Sequence, residues 1–226
     1  MFKKHILLFL SLGINYVVFS QSYNGLSFTE NKGQWGDKFK FKAVVGDAVF
    51  FIQDQGYTVL KHDPVAFKQF VGPSHGHHRE KDFDNTSKVF ENLPDLNPTD
   101  QQSLPGKIRS HAYNVRFLGA NNMVEYYSPY GAIEKANYFL GNDPKNWKQD
   151  VATYTSIVGK NLYDGVDVKY YSYGDKLKYD LLLKPGADPT KINLLYDGAD
   201  NLFIKNRELH VVTSISTSRE LSPLAY

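Results

Sequence analysis

The sequence predicts an all-β fold: an antiparallel β-sandwich-like domain carrying a long polar insertion. Three observations lead there. Ten or so short apolar runs recur at regular spacing, separated by turn residues. Helical periodicity is missing beyond about one turn around Pro144 to Lys148. Aromatic residues are abundant, with 16 Tyr and 15 Phe, side chains that suit a pleated, half-buried surface.

The elements follow in chain order. "SFTENKGQW" (Ser27 to Trp35) is a polar loop with an aromatic anchor at each end. "KFKFKAVVG" (Lys38 to Gly46) sets Phe39, Phe41 and Ala43 against Lys40 and Lys42, the period-two pattern of a half-buried strand. "AVFFIQDQGYTVLKH" (Ala48 to His62) reads as two strands around Asp54-Gln55-Gly56. Strands resume at His111 to Gly119, Met123 to Tyr127, Ala136 to Gly141 and Ala152 to Gly159. The strongest hairpin spans Val166 to Lys184. Its arms carry Val166, Val168 and Tyr170 on one side and Leu177, Tyr179 and Leu181 on the other, around Gly174-Asp175. "KPGADPTK" (Lys184 to Lys191) is turn chemistry, and three short strands follow in "INLLY", "NLFIK" and "ELHVVTS".

Two segments stand apart. Residues 1–20 hold Lys3 and Lys4, an apolar run from Ile6 to Phe19, and Val18-Phe19-Ser20 before Gln21. That is the pattern of a secretory signal peptide cut after Ser20, with no membrane span left afterwards. The mature chain, residues 21–226, is read as a single β-rich domain. Its insertion, from about 63 to 106, is rich in Pro, Asn, Asp, Ser and Gln and has no periodicity. The ending "LSPLAY" follows a strand-like approach and reads as a truncation whose continuation supplies further strands or domains.

Charge and cysteine usage exclude several function classes. Two of the 26 basic residues lie in the leader, so residues 21–226 hold 24 Lys and Arg against 24 Asp and Glu. That balance does not suit nucleic acid. With no Cys, the chain has neither disulfides nor thiolate chemistry, and a secreted domain must rely on its core.

"FTENKGQW", "YFLGNDPKNW", "NLYDGVDVKYY", "LKYDLLLKPGADPTKINLLYDGADNL" and "ELSPLAY" occur in that order. Together they resemble the uncharacterised N-terminal domain of large secreted surface proteins of Bacteroidetes. Those proteins often continue into SBBP-type β-propeller repeats and end in gliding-motility or type IX secretion sorting domains. The resemblance covers Leu26 to Tyr226. It implies a location in the secreted or cell-surface fraction and partners among the neighbouring domains of a larger surface protein. It implies no catalytic residue.

The residues themselves offer three candidate sites. "SHGHHRE" places His75, His77 and His78 beside carboxylates, a transition-metal donor set if held rigidly and a solvated loop otherwise. The Asp-Gly-x-Asp echoes, Asp164 with Asp167 and Asp197 with Asp200, offer calcium hard oxygens, yet the same residues also make ordinary turns. Tyr126, Tyr127, Tyr171 and Tyr173 could form a platform for glycans or pack across strands. Adjacent tyrosines in a strand face opposite ways, so only part of that set can be exposed. No Gly-x-Ser-x-Gly, Walker or dinucleotide pattern appears. The expectation is therefore a non-catalytic structural or interaction module without a cofactor, calcium aside. Carbohydrate binding is the alternative, and a secreted hydrolase a distant third.

Overall fold

The computed structural model describes residues 26–71, 108–174 and 176–225. Among these residues fifteen strands form three sheets, and every pairing between those strands is antiparallel. The largest sheet has eight strands in the order β12-β5-β4-β3-β2-β1-β8-β7. These are β1 (Phe28–Glu30), β2 (Phe41–Val45), β3 (Ala48–Gln53), β4 (Gly56–His62), β5 (Ser110–Leu118), β7 (Glu134–Tyr138), β8 (Lys148–Tyr154) and β12 (Asn193–Asp197). A four-stranded sheet runs β11-β10-β9-β6, from β6 (Glu125–Tyr127), β9 (Ser156–Tyr163), β10 (Val166–Tyr173) and β11 (Lys176–Leu183). The third holds β13 (Asn201–Lys205), β14 (Glu208–Val212) and β15 (Thr217–Glu220).

One hydrophobic core joins all three sheets. The large sheet contributes Phe28, Phe41, Ile52, Tyr57, Val59, Tyr113, Val115 and Phe117, the four-stranded sheet Ile157, Val166, Val168 and Tyr170, and the small sheet Val211. Alternation along each strand selects these residues, as expected of a sandwich with one inner face per sheet. The reverse face of the large sheet is also covered in part. Phe39, Val49, Phe51 and Leu60 pack there with Trp35 and Ala112. That second cover explains why "AVFFI" is apolar at every position, since a strand buried on both faces loses its alternation.

Three features depart from the sequence reading. The polar loop contains β1, a three-residue strand whose Phe28 is 0 % exposed and which bridges β2 and β8 inside the sheet, two strands from its β7 edge. The start of the supposed insertion is a helix, α1 (Pro64–Val71). Asp63 caps it, its Oδ1 accepting from the amides of Val65 (3.0 Å) and Ala66 (3.1 Å), with Pro64 ready-set for the first turn. "ATYTSIVG" divides at Thr155 between β8 and β9, which belong to different sheets. The hairpin β10–β11 matches expectation, and Asn206-Arg207 makes the turn between β13 and β14. Both turn residues have positive φ (54° and 65°), the signature of a two-residue type I′ hairpin.

Candidate ligand-binding face

The hairpin β10–β11 builds the site. Its register pairs Tyr170 with Tyr179, Tyr171 with Lys178, and Tyr173 with Lys176. Tyr170 and Tyr179 turn inward to the core, so Lys169, Tyr171 and Tyr173 of β10 and Lys176, Lys178 and Asp180 of β11 share the outer face. Beyond β10, β9 adds Ser156, Val158 and Lys160, and β6 adds Glu125 and Tyr127.

On this face each tyrosine ring lies under an ammonium. Lys160 Nζ sits 4.7 Å from the Tyr127 centroid, and Lys169 Nζ sits 5.1 Å from that of Tyr171. Lys178 Nζ reaches both Tyr171 (5.7 Å) and Tyr173 (5.2 Å). These distances fall within the range of cation–π attraction. Val158, the direct cross-strand neighbour of Tyr127 and Lys169, is only 4 % exposed. The side chains around it therefore cover the sheet there and make an aromatic and basic surface. Tyr173 is the most open ring, at 71 %. The Tyr171 hydroxyl donates to Asp180 Oδ1 (3.2 Å), and burial together with that carboxylate raises its pKa, so the phenol stays neutral.

Tyr126 is not part of this surface. It points to the core, its ring 5.5 Å from Phe41 and its hydroxyl donating to the Gln53 carbonyl at 2.7 Å. Burial raises its pKa strongly, followed by the charge of Asp54.

The two Asp-Gly-x-Asp turns serve different sheets. Asp164-Gly165 joins β9 to β10, and there Asp167 Oδ1 accepts from the Asn161 amide (2.8 Å) and lies 3.6 Å from Lys184 Nζ. Asn161 has φ 53° and sits where the β9–β10 register slips, so Asp167 holds a β-bulge in place. Asp197-Gly198 leads from β12 towards β13. Gly198 has φ 89°, and an added Cβ would meet the Ala112 carbonyl at 3.2 Å, which is why a glycine stands there. The Asp200 amide donates to the Val212 carbonyl (2.9 Å). Among the described residues no three His, Cys, Asp or Glu side chains gather as a metal site. His75, His77 and His78 lie outside the described residues.

Two polar groupings were not foreseen. His111 ties β5 to both turns near the small sheet: Nε2 donates to the Gly198 carbonyl (2.7 Å), and Nδ1 accepts from Ser214 Oγ (2.9 Å) and the Ser214 amide (3.2 Å). Both ring nitrogens are thus occupied by turn contacts. Glu220 of β15 accepts from the Tyr196 hydroxyl at 2.7 Å among buried tyrosines. Neither could be read from spacing, because each joins residues far apart in sequence. The cross-strand placing of Tyr171 beside Lys178 was accessible in principle, since the hairpin pattern of Val166 to Lys184 implies the register that the structure shows.

The fold and this face define a cysteine-free, all-β sandwich-like domain with a tyrosine–lysine surface. The chain belongs to the family described as Domain of unknown function (DUF7948), whose model matches residues 28–226. Neither a curated protein nor a solved structure matches it.

Proposed function

We propose that the domain is a non-catalytic interaction module of a secreted or cell-surface protein, binding through the outer face of the four-stranded sheet. One observation carries this reading: Tyr127, Tyr171 and Tyr173 lie on a single sheet face, each with a lysine over its ring. A sheet face with three neighbouring rings offers exposed stacking area, which suits adhesion. The basic and apolar leader supports export. No helix among the described residues is long and apolar enough to cross a membrane. The motif order supports a place at the N-terminal end of a Bacteroidetes surface protein with SBBP-type repeats and a type IX secretion sorting domain. Neighbouring domains of that protein are then further partners.

Glycans are the ligand class this surface favours, because sugar rings stack on tyrosine and their hydroxyls bond to lysine, aspartate and glutamate. A glycan array probed with the purified protein tests this. Saturable binding that Tyr127→Ala and Tyr173→Ala weaken, with an unchanged melting temperature, is the expected result. Binding insensitive to both variants places the site elsewhere, and turnover of a bound polysaccharide overturns the non-catalytic reading.

A further inference from the structure

We infer that the ligand of this face is an anionic polysaccharide, its sugar rings lying on Tyr127, Tyr171 and Tyr173 and its acidic groups meeting Lys160, Lys169 and Lys178. The inference rests on the binding-module reading and adds the sign of the ligand's charge.

The placement of the lysines is the argument. Four of them, Lys160, Lys169, Lys176 and Lys178, occupy the outward positions of three adjacent strands. Among the described residues three carboxylates share the face, and each has a local contact. Asp167 accepts from Asn161 and faces Lys184, Asp180 accepts from the Tyr171 hydroxyl, and Glu125 lies directly across from Lys160. The ammonium groups nearest the middle instead rest on ring faces. At an exposed site that contact is weak beside a direct ion pair with hydrogen bonds, so an arriving carboxylate or sulfate can draw each lysine off its ring. The same movement opens the ring for stacking. Ring and charge are thereby engaged together, which neither a neutral sugar nor a simple anion achieves.

The dimensions suit a chain rather than a single sugar. Tyr171 and Tyr173 are alternate residues of one strand, about 7 Å apart along it. Tyr127 lies two strands away, roughly 10 Å across the sheet. Single-stranded nucleic acid also combines stacking with negative charge. The interleaved Glu125, Asp167 and Asp180 argue against it, because they accept hydrogen bonds from the hydroxyls that each ring of a sugar chain presents and a deoxynucleotide strand lacks. The even balance of 24 basic and 24 acidic residues over positions 21–226 points the same way.

Titration calorimetry of the purified protein with alginate, dextran sulfate, unmodified dextran and a single-stranded oligothymidine tests the inference. Alginate or dextran sulfate should bind saturably, and the stronger of the two identifies carboxylate or sulfate as the acidic group. Raising the salt from low to high ionic strength should weaken binding by about tenfold or more. The double variant Lys169→Gln, Lys178→Gln and the single variant Tyr173→Ala should each lower affinity by about tenfold without shifting the melting temperature. If dextran binds as well as alginate and Tyr173→Ala abolishes it, the binding face stands and the charge inference falls. Tighter binding of the oligothymidine overturns the glycan assignment. Failure of both anionic probes overturns the inference, and the glycan array then decides the binding-module reading separately.

Discussion

Tyr196 of β12 donates its hydroxyl hydrogen to Glu220 Oε2 across 2.7 Å, tying the edge of the eight-stranded sheet to the last strand of the small one. The carboxylate is enclosed with Tyr57, Tyr113 and Tyr179, whose phenols it raises in pKa after the larger effect of their own burial. An ionisable group is therefore placed, partly buried, where the two sheets meet. Its surroundings are mostly apolar rings, and only the Tyr196 hydrogen bond opposes the cost of burial.

A pH dependence follows for Glu220. Burial raises its pKa above the ordinary 4.5, so the folded state takes up a proton before the unfolded state does. The resulting stabilisation is complete below the ordinary value and is lost as pH rises through the folded-state value. Glu220→Gln cannot titrate. The melting temperature of the parent minus that of Glu220→Gln should therefore increase as pH falls from 7 towards 4.5. Parallel curves would show that the carboxyl is not buried as described.

His62 should act in the opposite direction. Its ring stacks on Phe67 of α1 at 5.3 Å, Nδ1 pairs with Ser110 Oγ at 2.7 Å, and Nε2 is buried without a partner. Burial lowers its pKa below 6.5, an effect that Asp47 partly opposes. A depressed histidine contributes stability above the unfolded value, and that stability is lost as pH falls through the folded value. Against His62→Phe, which keeps the stacking, the parent should lose relative stability on acidification below about 6.5. Thermal melts of both proteins across pH 5 to 8 measure it.

Two glycines separate tolerable crowding from intolerable crowding. A Cβ at Gly159 would lie 2.7 Å from Val124 Cγ1 and 2.8 Å from Tyr126 Cε1, both side-chain atoms able to shift. Gly159→Ala should cost about 1–3 kcal/mol in urea denaturation, the usual toll of overpacking. At Gly56 a Cβ would meet the Val115 backbone carbonyl oxygen, and φ there is 148°. No rotamer change relieves a clash with the neighbouring strand. Gly56→Ala should therefore abolish the cooperative transition, and a stability equal to that of Gly159→Ala would refute this.

Much of the fold could be read because its longer strands alternate. β10 and β11 declared their inner faces through Val166, Val168 and Tyr170 opposite Leu177, Tyr179 and Leu181, and the structure keeps that division. β1 left no such trace, since three residues cannot display a period. The short helix α1 was also silent in periodicity, although Asp63-Pro64 is a start signal that could have been weighed. For the candidate site, alternation already required some tyrosines to face inward, but only cross-strand register assigned Tyr126 to the core and Tyr127 to the surface. The contact between Glu220 and Tyr196 joins different sheets, and the route of the chain between them is set by global packing.

β1 supplies the last test, because its position makes a short segment responsible for continuity of the whole large sheet. Phe28 is fully buried in the common core, while its strand pairs with β2 through Ala43 and with β8 through Tyr154. Phe28→Ala removes a ring from a site that the neighbouring strands cannot close over without breaking their own pairings. A loss of about 3–5 kcal/mol is expected. Phe139, by contrast, is 58 % exposed and meets Trp147 edge-on at 5.4 Å near the far edge of the same sheet. Phe139→Ala should change stability by about 0.5 kcal/mol or less. Chemical denaturation of both variants beside the parent gives the comparison. Equal losses would mean that β1 is a peripheral strand after all, because a central position predicts a large asymmetry between two substitutions of the same chemistry.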